Sequence, residues 1–269
     1  MNKNLPLISV IIPCFNSGEF LMSAIDSVQN NSSAYNFEVI IINDGSTDQY
    51  TLDLLKELSA KSYKVINQEN KGAANARNKG VKSASGKYLL MLDSDNRIYP
   101  DFIARSIKKL EASEKIGVAY GNVNFIGDVS HKRMFIIREF DPHILMLHNF
   151  IDMCAVIRKK TWDELNGLDE GLVALEDWEL WLRVYKAGWE FCYIDEVAFD
   201  YRVRNNSLMD QNNDFKSKEH LLKYIHGKHM DILLKNYESL LECYYSYNVQ
   251  KNSPFKYFLK NVYFKYFKF

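Results

Sequence analysis

Two carboxylates one residue apart follow an apolar run near the middle of the chain. Residues 88–92 are five consecutive large apolar side chains, which is typical of a strand buried on both faces, and Asp93 and Asp95 come shortly after. Alternation along an extended backbone would direct both carboxylates to one side, where they could share a divalent cation or bind a cation and a ribose. Asp, Ser and Asn also favour turns, so a polar turn is the alternative for this stretch taken alone.

The segments before this pair alternate between predicted strands and predicted helices. The strands cover residues 7–13, 37–42 and 64–67, and the helices cover 19–29, 48–58 and 72–84. This alternation predicts an α/β fold with a doubly wound, mainly parallel sheet flanked by helices. The loops after the first, second and fourth strands then lie at one edge of the sheet, which is where open α/β sheets bind their ligands.

The second half of the chain is predicted to add strands and then helices. Further strands are expected at 116–125, 134–137 and 150–158, and a helix over 174–187 ends before Gly188. Helical periodicity continues over 214–247, and Pro254 separates it from a last segment, 255–269. We therefore expect an α/β domain over residues 1–212 and a helical C-terminal extension over 213–269.

Composition and missing motifs exclude several classes of protein. The chain has 34 Lys and Arg against 34 Asp and Glu, a balance that argues against a general nucleic-acid binder. Neither GxGxxG nor GxxxxGK[ST] occurs, so the dinucleotide fingerprint and the P-loop are both absent from the sequence. A nucleotide at the acidic edge would need a cation, Arg77 and backbone amides to neutralise its phosphates.

Seven segments occur in an order that resembles the family 2 glycosyltransferases, the large inverting group with the GT-A fold. The segments are ISVIIPCFN (8–16), IINDGSTD (41–48), NKGAANARNKG (70–80), LLMLDSDN (89–96), CAVIRKKTWDELNGLDEGL (154–172), EDWELWLR (176–183) and YRVRNNS (201–207). The resemblance covers roughly residues 7–207 and implies a GT-A-like fold with a mixed, mainly parallel sheet. It also implies an enzyme that uses a nucleotide-sugar donor together with Mn²⁺ or Mg²⁺.

The resemblance implies a nucleotide pocket at the ends of the first two strands. The residues expected to line it are Pro13, Phe15 and Asn16. Asp44 is expected to accept a hydrogen bond from a uracil ring, and Arg77 to approach the base or the diphosphate. The alternative for Asp44 is a plain turn with Gly45, and the alternative for Arg77 is an exposed arginine on a helix.

The resemblance also implies a metal end of the site. Asp93 is expected to bind ribose or a metal-bound water, and Asp95 to ligate Mn²⁺ or Mg²⁺ directly, since both metals favour oxygen ligands. Ser94 and Glu176 are expected among the substrate-binding residues. Many relatives carry an acid directly after this pair, where this chain has Asn96. Asp95 is therefore the only strong direct ligand that we expect.

Asp177 is the candidate general base by the same resemblance. Direct displacement at an anomeric carbon needs a carboxylate opposite the leaving nucleotide, which accepts the proton of the acceptor hydroxyl. The alternative is that Glu176 and Asp177 only interact with the dipole at the start of their helix.

Arg204 marks a second departure from the family pattern. Many relatives carry a histidine at this position, two residues after the Tyr-Arg of the last segment. Arginine cannot ligate a cation but binds phosphate through two parallel hydrogen bonds. We therefore expect Arg204 to support the leaving diphosphate, and the alternative is a loop arginine in solvent.

Residues 255–269 carry aromatic side chains on one predicted helix face, lysines on the other, and no acid. This pattern resembles a helix that lies in the plane of an anionic membrane surface. The alternative is an amphipathic helix packed on the α/β domain or on a second subunit. The chain start lacks the order of a signal peptide and no apolar stretch reaches a spanning length, so we expect a cytoplasmic protein, peripheral on the inner face of the cell membrane.

The sequence thus predicts a metal-assisted, inverting glycosyltransferase. We expect it to move a sugar, from a UDP-linked donor, to a hydroxyl of a glycan or lipid-linked saccharide in surface polysaccharide or glycoconjugate biosynthesis. Two alternatives are a non-catalytic module that binds nucleotide sugars and a nucleotidyltransferase. The second of these lacks support, because no glycine-rich, basic triphosphate loop is visible.

Overall fold

The computed structural model describes residues 8–31, 35–129, 135–204, 215–256 and 258. The chain divides into two compact units, Met1–Leu222 and Lys223–Phe269. The predicted domain boundary at residue 212 lies outside the described residues. In this described part of the chain, no helix combines the length and the apolar composition that are needed to cross a membrane.

Strands and helices alternate regularly over residues 8–91 and less regularly in the rest of the first unit. The strands are β1 (Ile8–Cys14), β2 (Phe37–Asp44), β3 (Lys64–Gln68), β4 (Tyr88–Met91), β5 (Arg97–Ile98), β6 (Ile116–Gly127), β7 (Val156–Arg158) and β8 (Glu190–Val203). The helices are α1 (Gly18–Gln29), α2 (Gln49–Ala60), α3 (Ala73–Lys82), α4 (Phe102–Ala112), α5 (Pro142–Leu147), α6 (Lys159–Glu164) and α7 (Glu176–Lys186). Two helices follow, α8 (Phe215–Lys228) and α9 (Met230–Asn252), and the division between the units falls inside α8.

The strands form one mixed sheet of eight strands in the order β3-β2-β1-β4-β7-β6-β8-β5. Neighbours are parallel in the pairs β1–β2, β1–β4, β2–β3 and β6–β8, and antiparallel in β4–β7, β6–β7 and β5–β8. The prediction of a mixed, mainly parallel sheet flanked by helices, with a helical C-terminal part, is confirmed. Because β1, β2 and β4 are parallel, the loops that follow them lie at the same edge of the sheet.

The core is built on strands that are apolar on both faces. In β1, Ile8, Val10, Ile11 and Ile12 have no exposed surface, and Ser9 between them is also buried. A strand whose successive residues are all buried must be covered on both sides, since successive side chains point to opposite faces. The sheet therefore leaves its polar loops, at the carboxyl ends of the strands, as the place for a binding site.

Two predicted strands differ from the structure. Residues 135–137 form no strand, and the Phe135 ring instead packs edge-on against Phe125 and Tyr201, with ring centroids 5.1 and 5.5 Å apart. In the stretch predicted at 150–158, only Val156–Arg158 is a strand. The residues before it are held by local bonds from backbone N–H groups to the side chains of Asn149 and Asp152, which compete with strand pairing.

Asp93 and Asp95 do not lie on an extended backbone, so the strand alternation that was expected to direct both carboxylates to one side does not extend to them. Strand β4 ends at Met91, and the next residues form a turn that is closed by a bond from Asn96 N to Asp93 O at 3.0 Å. The two candidate carboxylates are therefore themselves part of a polar turn. Short polar side chains stabilise such a turn where the hydrogen bonds between strands end.

Candidate active site

Asn16 ties the loop after β1 to the loop after β2. Its side-chain oxygen accepts hydrogen bonds from the backbone of Thr47 at 2.7 Å and Asp48 at 3.2 Å, and its own backbone N donates to Ser46 Oγ at 3.1 Å. Asn16 has a φ of 49°, in the left-handed region that asparagine tolerates better than most residues. Of the other residues expected here, Pro13 is half-buried in β1 and Phe15 is exposed beside the loop.

Asp44 is buried at the end of β2, and donors from the next loop surround its carboxylate. One oxygen accepts from Gln68 Nε2 at 2.7 Å and from Lys71 N at 2.9 Å, and the other accepts from Gly72 N at 3.0 Å. These bonds fix the segment that leads into α3. A bond from Asp44 to a uracil ring remains a prediction, and the carboxylate would use a remaining lone pair for it.

Arg77 lies at the centre of the site and is only 4% exposed. From α3 it donates Nη2 to Asp93 Oδ1 at 2.6 Å and Nη1 to Glu176 Oε1 at 2.7 Å. Burial lowers the pKa of the guanidinium, but the carboxylates of Asp93 and Glu176 outweigh burial and raise it. The alternative of a solvent-exposed helix arginine is therefore wrong, and Arg77 links the end of β4 to the start of α7.

Ser94, also expected in the site, is buried in the turn between the two aspartates. Its hydroxyl lies 2.6 Å from Ser17 Oγ, so it joins this turn to the start of α1. The contact positions the carboxylates on either side of Ser94 relative to the loop after β1.

Asp177 is held at the first turn of α7 by two donors. The backbone N of Trp178 donates to Oδ1 at 2.7 Å, and Asn149 Nδ2 donates to Oδ2 at 2.7 Å. Burial, and then the neighbouring carboxylates of Glu176 and Asp152, raise the pKa of Asp177 to about 8. A carboxylate with this pKa is a much stronger proton acceptor than an exposed aspartate.

The residue before this helix has a strained backbone. Leu175 has a φ of 63°, in the left-handed region that is uncommon for a residue other than glycine. Strain of this kind costs of order 1–3 kcal/mol and persists where the surrounding structure imposes it, often at functional sites. Here it directs the first turn of α7, which carries Glu176 and Asp177, towards Arg77 and Asn149.

Asp152 is a site residue that sequence reasoning missed. It is half-buried, and its Oδ1 accepts from Cys154 N at 2.8 Å. Burial, with the carboxylate of Asp93 second, raises its pKa to about 7, and Arg77 opposes that rise. The sequence signal for Asp152 was that it is the one charged residue in the apolar run 150–157. The prediction of a buried strand over this run left that signal unused.

Arg202 and Arg204 enclose Asp95 from the end of β8. Arg204 Nε lies 2.9 Å from Asp95 Oδ2, and Arg202 Nε donates to the backbone oxygen of Asp95 at 3.2 Å. Both guanidinium groups lie over the ring of Phe20, at 4.5 Å for Arg202 and 5.5 Å for Arg204. Asn96 is buried, and its side-chain oxygen accepts from Arg202 N at 2.9 Å, so it holds β8 in place.

Asp93 and Asp95 are the candidate ligands for a divalent cation. Among the described residues, no group of three or more His, Cys, Asp or Glu side chains is arranged to hold a metal ion. Burial, and then the charge of Asp93, raise the pKa of Asp95, while Arg204 opposes this rise. Two hard oxygen donors in a site with excess negative charge fit Mn²⁺ or Mg²⁺, provided that a bound phosphate completes the coordination.

The fold and the candidate site together define an α/β protein that gathers carboxylates and arginines at the carboxyl edge of its sheet. The chain belongs to glycosyl transferase family 2, whose family model matches residues 9–162. The chain is therefore a glycosyltransferase, and the predicted family is confirmed.

Known proteins that resemble this chain include enzymes of polysaccharide synthesis. The amylovoran biosynthesis glycosyltransferase AmsB of Erwinia amylovora is 26% identical over 211 residues, which is 72% of this chain and 69% of AmsB. Staphylococcus aureus TarS 1-349, solved in complex with UDP-GlcNAc, has a TM-score of 0.63 at 20% identity, covering 76% of this chain and 60% of that one. The mannosyltransferase PcManGT of Pyrobaculum calidifontis, solved with GDP-Man and Mn²⁺, has a TM-score of 0.57 at 17% identity, covering 78% and 61%.

Proposed function

We propose that this glycosyltransferase transfers a sugar, with inversion, from a UDP-linked donor to a hydroxyl group of a glycan or lipid-linked saccharide. The observation that carries the proposal is that one arginine, Arg77, joins the start of α7, where the candidate base lies, to the end of β4, where the candidate metal ligands lie. Glu176, next to the candidate base Asp177, shares Arg77 with Asp93 at the end of β4. A base on the acceptor side and a charged cluster on the donor side are what a direct displacement requires.

In this proposal Asp177 accepts the proton of the attacking hydroxyl group. The acceptor oxygen forms a bond to the anomeric carbon while the bond from that carbon to the diphosphate breaks, and the nucleoside diphosphate leaves with its electron pair. A single displacement inverts the anomeric configuration. The raised pKa of Asp177 suits this role, because a proton acceptor works best when its pKa lies near the working pH.

Asp93 and Asp95 would hold Mn²⁺ or Mg²⁺ together with the donor. When bound, the cation would stabilise the charge that develops on the leaving diphosphate. Arg204 would support the same diphosphate, because its guanidinium already lies beside Asp95. The complexes of TarS with UDP-GlcNAc and of PcManGT with GDP-Man and Mn²⁺ support a nucleotide-sugar donor and a metal. AmsB supports a role in polysaccharide synthesis.

Donor binding provides the direct test. We expect UDP with Mn²⁺ to raise the melting temperature of the wild type more than GDP with Mn²⁺, because a bound ligand stabilises the native state. Arg204→Ala should weaken UDP binding about 10- to 100-fold, the typical effect of losing a hydrogen bond to a charged group. Titration calorimetry with UDP measures this change directly.

The matched control for that test is Arg105→Ala. Arg105 pairs with Glu196 at 2.5 Å and takes no part in the proposed site, so its loss should leave UDP affinity unchanged. Equal affinity for UDP in Arg204→Ala and wild type would count against the proposed diphosphate contact. A larger stabilisation by GDP than by UDP would instead redirect the proposal to a guanosine donor.

We also propose that the C-terminal segment binds an anionic membrane surface, where a lipid-linked acceptor would be presented. Most of residues 255–269 lie outside the described residues. Two observations support the proposal: Phe255 and Phe258 are exposed, and the chain from Lys251 onward contains five lysines and no acid. Aromatic side chains and lysines together favour the interface of an anionic bilayer.

Removal of residues 253–269 should abolish co-sedimentation with vesicles that contain phosphatidylglycerol. Replacing Lys256, Lys260, Lys265 and Lys268 by Gln should weaken it strongly, since each lysine near such a surface contributes about 1 kcal/mol. Vesicles of phosphatidylcholine alone are the control, and they should bind less. Undiminished co-sedimentation of the truncated chain would reject the anchor. A smaller oligomer on truncation, without lipid binding in the full chain, would favour a second subunit.

A further inference from the structure

Helix α5 and the segment that follows it, up to β7, are fixed to α7 by two buried tryptophans. Trp178 Nε1 donates to Leu145 O at 2.6 Å, and Trp181 Nε1 donates to Ile151 O at 2.8 Å. Both indoles belong to the helix that carries Asp177, and the two bonds lie on either side of Asn149 in the sequence. The position of Asn149 relative to Asp177 is therefore determined by this packing.

The orientation of the Asn149 amide is fixed by its two partners. Its oxygen accepts from Ile151 N at 3.2 Å, and its nitrogen Nδ2 donates to Asp177 Oδ2 at 2.7 Å. The reversed amide would bring an oxygen against a carboxylate oxygen and an NH₂ group against an N–H donor, and both contacts are repulsive. Asn149 can therefore act towards Asp177 only as a hydrogen-bond donor.

The two oxygens of Asp177 are each restrained by one donor. Trp178, in the same helix as Asp177, donates its backbone N–H to Oδ1. Asn149, in a separate segment, donates its Nδ2 to Oδ2. Without Asn149, the second oxygen would lose its donor, and the carboxylate could rotate about its terminal torsion, which is broad for aspartate. A base that must meet an acceptor hydroxyl within hydrogen-bonding distance depends on this orientation.

The charged surroundings of Asp177 explain why a neutral donor suits this place. Glu176 on the same helix and Asp152 from the 149–152 segment disfavour the ionised carboxylate, and Arg77 from α3 favours it. Tyr201 of β8 also faces this group: burial first, and then the charges of Asp152 and Asp93, raise the pKa of Tyr201. An amide donor favours the ionised form of Asp177 without adding a charge that would remove its basicity.

We infer that Asn149 is a positioning residue for the sugar-transfer reaction: it orients the Asp177 carboxylate and stabilises its ionised form, and it takes no part in donor binding. The inference rests on the proposed function, in which Asp177 is the base. It assigns to the 149–152 segment a role in the chemical step that is separate from the nucleotide end of the site.

The experiment measures the titration of Asp177 itself. The enzyme is labelled with ¹³C at the aspartate side-chain carboxyl, its signal is assigned with Asp177→Asn, and chemical shift is followed against pH. Loss of the donor in Asn149→Ala should move the titration of Asp177 upward by about one pH unit or more, because the ionised form loses a charge-assisted bond. Asn149→Asp, which has the same shape but replaces the donor by a carboxylate, should move it further.

Two further measurements separate positioning from a structural role. UDP release from a panel of UDP-sugars, with Mn²⁺ and water as the acceptor, should fall about 10- to 100-fold in both variants, while UDP affinity stays within a factor of about two. The matched control is Asn122→Asp, because Asn122 also donates to an aspartate, Asp195 Oδ1 at 3.0 Å, on an exposed surface. That variant should change neither the titration of Asp177 nor UDP release.

The outcomes are distinguishable from those of the proposed function. Unimpaired UDP release by Asp177→Asn would reject Asp177 as the base, whatever Asn149 does. An inactive Asp177→Asn together with an unshifted Asp177 titration in Asn149→Ala would overturn only the role of Asn149. A loss of UDP affinity in the Asn149 variants would also overturn it, since the effect would then lie in the fold of the site. If Asn149→Asp does not fold, Asn149→Ala decides alone.

Discussion

Replacement of Asp177 by asparagine should lower sugar transfer about 10³-fold while UDP affinity stays within a factor of about two. Asparagine keeps the shape of the side chain but cannot accept the proton of the acceptor hydroxyl. Its contacts with Trp178 N and Asn149 can be kept only in part, since an amide has one acceptor oxygen. UDP release with Mn²⁺ and titration calorimetry with UDP measure the two quantities.

The control for this variant is Asp163→Asn. Asp163 pairs with Lys159 at 2.7 Å on an exposed part of α6, so its change should leave transfer and binding unaltered. Near-normal turnover of Asp177→Asn would contradict the assignment of the base. A parallel loss of UDP affinity would show that Asp177 supports the donor site instead of the chemical step.

Replacement of Arg77 by methionine should lower the free energy of unfolding by about 3 kcal/mol or more at neutral pH. Methionine has a similar length and no charge, so it leaves the carboxylates of Asp93 and Glu176 without their shared cation, and the Glu176 side chain is only 15% exposed while that of Asp93 is 37% exposed. Breaking a buried ion pair by removing one partner is costly because the other charge stays buried. Urea denaturation followed by tryptophan fluorescence measures the loss.

The pH dependence sharpens this test. Arg77 lowers the pKa of Asp152 and of Asp177, which burial and the neighbouring carboxylates raise to about 7 and about 8, so both pKa values should rise further without it. Both carboxyl groups are protonated near pH 5 with or without Arg77, so the deficit of Arg77→Met should be smaller near pH 5 than near pH 7.5. Lys61→Met is the control, because the pair of Lys61 with Glu57 is exposed and its loss should leave the free energy of unfolding nearly unchanged at both pH values. A variant as stable as the wild type would show that Arg77 does not compensate these charges, and a deficit independent of pH would indicate a packing defect.

Much of the fold was predictable because its signals are local. The run over residues 88–92 predicted β4, which ends one residue earlier than expected, and the helix predicted over residues 48–58 is α2, which starts at Gln49 directly after its cap Asp48. The prediction was wrong where side-chain contacts replaced strand pairing, at residues 135–137 and before Val156. No periodicity distinguishes an apolar run that forms a strand from one in which Asn149 and Asp152 bind the backbone locally.

By itself, the sequence determined the order of strands and helices and the edge at which its carboxylates would meet. Apolar runs and helical spacing are local properties, and parallel strands bring their carboxyl ends together wherever they pair. Only the tertiary structure decided which charges compensate one another. Arg77 binds Asp93, 16 residues away, and Glu176, 99 residues away, and Asn149 binds Asp177 across 28 residues. Such partners depend on how helices and loops pack on the sheet, so nothing in the local sequence specifies them.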